Sequence, residues 1–171
     1  LLAALIAFLI GWPVLRLRGD YLAIATLGFS EIIRIVITNA QSWTNGALGI
    51  KDIPALNDVR YIFIATAITF LFVTCLINSS YGRAFKAIRE DEIAAEAMGV
   101  GLFKHKCMAF MLSAFFAGIG GGLYATLLGT VDPKNFLFTL TYNFLLIIVL
   151  GGMGSITGSM LGSIIVTAGL E

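Results

Sequence analysis

Residues 81–106 read YGRAFKAIREDEIAAEAMGVGLFKHK, a charged segment that separates two long apolar ones. The chain holds 11 basic and 10 acidic residues, and nine of these 21 lie in this segment. They are Arg83, Lys86, Arg89, Glu90, Asp91, Glu92, Glu96, Lys104 and Lys106. Charges are costly inside a bilayer, so the pattern predicts an aqueous loop between two membrane spans.

The composition outside this segment is that of a membrane protein. Hydrophobic residues make up 58% of the chain and charged residues 12%, whereas soluble domains carry about 25% charged residues. Uncharged runs of 22, 25 and 36 residues follow Arg60, Lys106 and Lys134. About 20 apolar residues span a bilayer as a helix, and helices satisfy their own backbone hydrogen bonds. The expected fold class is all-α: a polytopic transmembrane helical bundle.

The apolar runs predict six spanning or partly spanning segments. They lie at about 1–15, 21–39, 61–78, 107–130, 138–150 and 159–170, with a cytoplasmic loop at 79–106. We expect a single transmembrane domain over 1–171. Because the chain begins without methionine inside an apolar run, we expect it to be a fragment of a longer protein.

Basic residues predict the sidedness of the bundle. Alternating the spans puts seven basic residues on the side of the charged loop and three on the other side. The seven are Arg16, Arg18, Arg83, Lys86, Arg89, Lys104 and Lys106; the three are Lys51, Arg60 and Lys134. Cytoplasmic loops carry the excess of basic residues, so the charged loop is expected in the cytoplasm. Trp43 falls at the predicted outer edge, as interfacial aromatic residues do.

Within the charged loop, residues 83–98 contain few helix breakers and predict one surface helix. Gly99 and Gly101 are expected to end it. Two pairs of opposite charges are expected across one turn, Lys86–Glu90 and Arg89–Glu92. The functional interpretation is a helix that docks into a partner; the alternative is an ordinary solvated connector.

Two further features lie inside apolar segments. Glu31 and Arg34 are spaced i,i+3, which indicates either a polar group in a translocation path or a structural ion pair. Small residues repeat as GxxxG at Gly118 and Gly122, and again at Gly154, Gly158 and Gly162, a pattern typical of tight helix packing.

A glycine-rich break also interrupts the last apolar run. Gly151, Gly152 and Gly154 follow a segment too short to cross the bilayer, which predicts a broken helix. Non-helical backbone at membrane depth is tolerated where it lines a cavity, so these glycines are candidates for a translocation path.

No residues suggest catalysis. The serines of the last segment have no histidine partner within the membrane, His105 has no metal-ligand spacing around it, and no GxxxxGK[ST] phosphate loop occurs. No catalytic residue, metal or cofactor is expected. A net charge of +1 gives nucleic-acid binding no electrostatic support.

Three stretches in order together resemble one family. They are RLRGDYLAIATLGFSEIIRI (16–35), YGRAFKAIREDEIAAEAMGV (81–100) leading into AFMLSAFFAGIGGGLYA (109–125), and VLGGMGSITGSMLGS (149–163). The outer TNGALGI (44–50) agrees with them. The chain resembles the membrane permeases of branched-chain amino acid ABC transporters, in their LivM-like branch.

The resemblance implies a permease subunit of an ATP-driven importer in the inner membrane. Its implied partners are cytoplasmic ATPase subunits, a second permease subunit and a periplasmic substrate-binding protein, besides the lipid bilayer. Branched-chain amino acids are the implied substrates, although close relatives carry other amino acids or urea. ATP hydrolysis is expected in a separate subunit.

Importer permeases carry an EAA…G pattern in a cytoplasmic loop that rests on the ATPase. Ala94, Ala95 and Gly99 match this pattern, while Ile93 stands where glutamate is usual. The resemblance therefore implies an ATPase-coupling segment at 83–99, and leaves open which acidic residue contacts the ATPase. Its candidate residues are Arg89, Glu90, Glu92, Ala94, Ala95, Glu96 and Gly99.

Two other classes of protein are alternatives to this hypothesis. An ion- or proton-coupled secondary transporter or channel would use Glu31 and Arg34, but it usually needs several intramembrane acids. An integral membrane enzyme would need a nucleophile with a base, or metal ligands, within the membrane. The ordered motifs favour the importer permease.

Overall fold

A computed structural model describes residues 1–17, 20–41, 45–46, 49–51, 53–54, 60–136 and 138–170. Within these ranges the chain forms eight α-helices and one 3-10 turn, which confirms the predicted all-α class. The helices are α1 (Leu2–Val14), α2 (Asp20–Asn39), α3 (Arg60–Asn78), α4 (Ser80–Glu90), α5 (Glu92–Ala97), α6 (Leu102–Leu128), α7 (Phe138–Gly151) and α8 (Ile156–Leu170); the 3-10 turn is Pro133–Phe136.

Three of these helices are long and apolar enough to cross a membrane. They are Tyr21–Asn39, Arg60–Asn78 and the 27-residue Leu102–Leu128. The span predicted at 107–130 corresponds to α6, but this helix begins earlier, at Leu102. Lys104 and Lys106 therefore belong to the first turns of α6. The other apolar helices, including α1, α7 and α8, are shorter.

Large apolar side chains cover the surface of the long helices. Phe63 is 74% exposed and Leu71 65% exposed on α3, and none of the residues in the α3 window that could span a membrane is buried. In water such a surface would associate; against lipid tails it costs nothing. The exposed apolar surface is that of a membrane protein.

Residues 1–30 and 51–130 form one compact unit, built around α6. Helix α1 packs antiparallel to α6. Ala3 near the start of α1 contacts Gly118, whereas Gly11 near its end contacts the earlier residue Phe110. A Cβ added to Gly118 would lie 2.9 Å from the Cβ of Ala3, and one added to Gly11 would lie 3.1 Å from the Phe110 ring. Small residues thus set the approach of the two helices.

Aromatic contacts complete this unit. Trp12 of α1 meets Phe103 of α6 edge to face, with ring centroids 5.5 Å apart. Phe72 of α3 lies 5.2 Å from Phe116 of α6 by the same measure. Both distances fall in the favourable range for aromatic pairs. Helix α6 is therefore the element on which α1 packs, and α3 reaches it through the Phe72–Phe116 contact.

Residues 31–50 and 131–171 form the second unit, in which α7 and α8 make a hairpin. Gly152 (φ +86°) and Gly154 (φ +95°) lie between the two helices in left-handed conformations that favour glycine. The predicted break in the last apolar run is therefore present. At 1.5 Å per residue, each helix is only about 20 Å long, shorter than the ~30 Å hydrocarbon core.

The small-residue contact of this hairpin differs from the predicted one. Gly154 precedes α8 and is not part of a helical GxxxG row. Gly151 of α7 instead meets Gly158 and Gly162 of α8, and a Cβ on Gly158 would lie 1.8 Å from the Gly151 carbonyl oxygen. At the other predicted repeat, Gly118 contacts α1 but Gly122 has nothing within 4 Å of an added Cβ.

Some expectations fall on residues outside the described ranges. Arg18 and Trp43 are among them, as are parts of the TNGALGI stretch. The side chain of Lys134 is likewise outside the description. The sidedness of the bundle therefore stays a prediction, as does the single domain over 1–171.

Gly158→Ala is expected to separate α7 from α8, because the new methyl group would overlap the Gly151 carbonyl. Overpacking of this kind costs about 1–3 kcal/mol. The measurement is the thermal unfolding midpoint of the full-length protein in mild detergent. Gly169→Ala is the matched control on the same helix, since nothing lies within 4 Å of its added Cβ. Equal midpoints for the two variants would contradict the close packing.

Candidate functional site

The charged loop contains two helices where one was predicted. Helix α4 ends at Glu90 and α5 begins at Glu92, so the expectation of a single helix over 83–98 is wrong. Asp91 between them is extended (φ −154°, ψ 113°). Its carboxylate accepts hydrogen bonds from the backbone N–H groups of Ile93 (2.8 Å) and Ala94 (3.1 Å). Aspartate favours such N-caps over helix interiors, which explains the break.

Gly99 ends α5, as predicted. Its φ of +84° lies in the left-handed region. The N–H of Gly99 donates to the Glu96 carbonyl (2.9 Å), and the N–H of Val100 donates to the Ala95 carbonyl (3.0 Å). These two bonds form a Schellman motif, in which a left-handed glycine allows the last carbonyl groups of a helix to be satisfied. Gly101 then serves as the N-cap residue of α6.

The start of the loop depends on a glycine that the sequence analysis did not single out. Ser79 caps α4 by accepting from the Gly82 N–H (3.3 Å). A Cβ on Gly82 would lie 2.1 Å from the Ile77 carbonyl oxygen, so only glycine fits where α3 turns into α4. The SSYG sequence at 79–82, a capping serine followed by glycine, was the available signal.

The ion pairs of the loop also differ from the predicted ones. Arg89 donates to its neighbour Glu90, with its Nε 3.1 Å from the carboxylate. Glu92 accepts from the Nζ of Lys106 at 2.6 Å, a contact that joins α5 to the start of α6. The predicted Lys86–Glu90 and Arg89–Glu92 pairs are therefore wrong. No hydrogen bond or ion pair of the Glu96 side chain is present in the described loop.

Apolar side chains of the loop separate into a buried and an exposed set. Ile88 and Ala95 are buried, so α4 and α5 each have an anchored face. Ile93 on α5 is 77% exposed, and Met98, the C-cap residue of this short helix, is 85% exposed. The two exposed side chains were not predicted as site residues. Ala94 and Glu96 are exposed as well, which leaves one side of α5 open to a partner.

The second candidate site is the charged pair on α2. The Arg34 Nε lies 3.0 Å from each carboxylate oxygen of Glu31, and a terminal nitrogen of the guanidinium also bonds to Glu31. The pair therefore satisfies its charges within one helical turn. Such bidentate pairs are the strong class of charge-assisted hydrogen bonds. In the described ranges no group of three or more His, Cys, Asp or Glu side chains is placed to hold a metal ion.

Comparison with known proteins gives the family. Residues 1–169 match the family described as branched-chain amino acid transport system / permease component. The chain belongs to this permease family. The predicted resemblance is thus confirmed over almost the whole sequence.

Relatives of this family member come from bacteria and archaea. The high-affinity branched-chain amino acid transport system permease protein LivM of Escherichia coli is 38% identical over the whole chain. The probable LivM of Methanocaldococcus jannaschii is 31% identical over 95% of it. The guanosine ABC transporter permease protein NupQ of Bacillus subtilis is 29% identical over 72% of it.

The aligned regions make up 48%, 51% and 42% of these three relatives. The chain therefore spans about half the length of the curated relatives it matches. No solved structure matches the chain. Both the permease family and the three long apolar helices indicate that the chain is part of a membrane protein.

Arg34→Leu is expected to lower severalfold the yield of monodisperse full-length protein, because it leaves the Glu31 carboxylate unpaired within an apolar helix. The double variant Glu31→Leu/Arg34→Leu should restore the yield, since it removes both charges. Size-exclusion chromatography in detergent measures this, with Ile33→Leu as the control on α2. A wild-type yield from Arg34→Leu alone would contradict the pairing.

Proposed function

We propose that the chain is the transmembrane part of a permease subunit of an ATP-driven importer in the cytoplasmic (inner) membrane. The observation that carries the proposal is the match of residues 1–169 to the permease family. The full-length similarity to a permease named for high-affinity branched-chain amino acid transport supports it further. The subunit moves substrate, and ATP is hydrolysed by a separate partner subunit.

The substrates we propose are branched-chain amino acids. Relatives named for this transport include both the Escherichia coli LivM and the Methanocaldococcus jannaschii protein. The guanosine permease of Bacillus subtilis is less similar and aligns over a smaller share of the chain. In importers of this kind, a periplasmic binding protein would deliver the amino acid to the permease.

A second permease subunit is the proposed partner within the membrane. Escherichia coli has two permease proteins named for the same high-affinity system, LivM and LivH, and the chain is similar to both. The LivH similarity is 32% over 61% of the chain. The long helices here expose large apolar side chains on faces that helices of another subunit could cover as readily as lipid.

The ATPase-coupling segment is proposed at 83–99. Three features support it: a six-residue helix fixed at both ends, one anchored face, and an open face. The open face carries Glu96, which has no partner within the described loop, and the exposed apolar Ile93 and Met98. A groove in an ATPase would bury these two side chains, and each buried apolar side chain contributes about 1.5–3 kcal/mol. Arg89 and Glu90, paired with each other on the exposed end of α4, would lie beside the same partner.

The translocation path is proposed to pass the break between α7 and α8. Gly151 ends a helix too short to cross the bilayer, and Gly152 and Gly154 give non-helical backbone after it. Glu31 and Arg34 are the other candidates, because a charged pair on an apolar helix needs protein or water around it. The ion-coupled alternative has weaker support, since both oxygens of the Glu31 carboxylate already accept from Arg34.

Uptake of labelled leucine by proteoliposomes tests this function. The full-length protein, purified with its native partners and binding protein, should accumulate leucine when ATP is enclosed, and should not do so with a sodium or proton gradient alone. Gly99→Ala should lower ATP-driven uptake, because a side chain in the left-handed conformation costs about 1–2 kcal/mol and the end of α5 would unwind. A loss of about fivefold or more is expected.

Gly101→Ser is the matched control for that variant, because serine is favoured at the N-cap position that Gly101 occupies. Its φ of −69° suits any residue, and nothing lies within 4 Å of an added Cβ. Uptake should therefore stay at the wild-type level. Gradient-driven uptake without ATP would overturn the importer proposal, and equal uptake by the two glycine variants would overturn the role of α5.

A further inference from the structure

We infer that Glu92 and Lys106 form a positioning pair that connects the coupling segment rigidly to the membrane-spanning helix α6. On this inference Glu92 does not contact the ATPase; it transmits the displacement of α5 to α6, and Glu96 is the acidic residue left for the partner. The inference rests on the proposed importer function. It goes beyond that function because it assigns different roles to acidic residues that the sequence pattern leaves equivalent.

The first support is the geometry of the pair. The Lys106 Nζ lies 2.6 Å from a carboxylate oxygen of Glu92, across 14 residues of chain. The Lys106 side chain is 20% exposed and that of Glu92 is 42% exposed, so both are partly withdrawn from water. Lys106 also precedes Cys107, which is buried. The pair therefore links the first residue of α5 to a partly buried residue of α6.

The second support is the short length of α5. A helix of six residues has no stability of its own in water, because helix nucleation is unfavourable. Its orientation must come from contacts with its surroundings. In the described loop these contacts include the burial of Ala95, the connection to α4 through Asp91, the four residues 98–101 that lead into α6, and the Glu92–Lys106 pair. Of these, the pair joins the N-terminal end of α5 directly to α6.

The third support is the neighbour of Lys106. The His105 ring lies 6.4 Å from the Tyr81 ring and 6.2 Å from the Phe85 ring, both on α4. Two adjacent residues of α6 thus hold the two loop helices: His105 holds α4 and Lys106 holds α5. A force applied to either helix of the loop reaches the same turn of α6.

The fourth support is that the other acidic residues of the loop already have partners within it, whereas Glu96 does not. Glu90 pairs with Arg89, Asp91 caps α5, and Glu92 pairs with Lys106. Each of these three carboxylates uses one oxygen for its interaction within the loop, so a partner's basic group would meet a carboxylate that is already engaged. Glu96 is exposed and has no hydrogen bond or ion pair within the described loop, so its whole carboxylate is available to a partner's charge.

The experiment compares variants of the full-length transporter, purified with its ATPase and binding protein, in proteoliposomes. Glu92→Gln and Lys106→Met should leave the ATPase bound and hydrolysing ATP, but should lower the leucine transported per ATP hydrolysed. The loss is expected to be about threefold, in line with a partly exposed ion pair. Glu92→Lys/Lys106→Glu should restore most of the ratio, because it rebuilds the pair with its charges exchanged.

Lys104→Met is the matched control, because Lys104 is exposed two residues earlier on α6 and has no ion pair in the described part of the chain. Its transport ratio should equal that of the wild type. Glu96→Gln should weaken ATPase binding without changing the ratio in the complexes that remain. Hydrogen exchange of 92–97 should rise in Glu92→Gln and stay unchanged in Glu96→Gln.

The outcomes separate the inference from the function on which it rests. A wild-type ratio in Glu92→Gln and Lys106→Met, with ATP-driven uptake intact, would overturn the positioning pair alone. Loss of ATPase binding in Glu92→Gln would overturn it as well, because Glu92 would then be a contact residue. Absence of ATP-driven uptake by the wild-type protein would overturn the importer function and the inference with it.

Discussion

Every charge that enters a bilayer must be paired or reach water, and this constraint determines where this chain can keep its polar groups. Within the described apolar helices, Glu31 and Arg34 meet it by pairing with each other inside one helical turn. Nine other charged residues meet it by collecting in one segment between two long apolar helices. The long apolar helices can therefore face lipid, and the charged segment 81–106 is the part of the chain suited to contact a partner in water.

This charged segment is joined to α6, the helix that α1 and α3 contact in the first unit. Helix α6 contacts α1 through small residues and aromatic rings, and it contacts α3 through Phe116. The first turns of the same helix carry His105 and Lys106, which hold the two loop helices. A partner that moves the loop would therefore act directly on α6. No reactive chemistry in the permease is needed for such a mechanism.

Apolar run lengths predicted the helices well, because a helix in lipid must be continuous and nearly free of charge. The expected 61–78 and 138–150 correspond to Arg60–Asn78 and Phe138–Gly151. The start of α6 was missed because its first turns are charged: Lys104 and Lys106 lie beyond the apolar run but inside the helix. The break at Asp91 was missed because aspartate in a helix-prone stretch can also serve as a cap.

Tertiary contacts were beyond the reach of the sequence. Spacing suggested that Glu92 pairs with Arg89, yet it pairs with Lys106, because the chain turns back at Gly99 and brings α6 beside α5. Likewise, spacing placed Gly154 in a helical row, whereas the turn before α8 shifts the contact to Gly151, Gly158 and Gly162. The EAA…G resemblance located the loop, but only the fold distinguished its buried Ala95 from its exposed Met98.

Photo-crosslinking in native membranes tests the central claim most directly. A benzophenone amino acid in place of Met98 should crosslink the full-length protein to a subunit that contains a GxxxxGK[ST] phosphate loop, identified by mass spectrometry. The same amino acid in place of Ile50, predicted on the opposite side of the membrane, should not. Crosslinks from Met98 to lipid alone, or the same partner from both positions, would contradict the account of the loop as the ATPase-coupling segment.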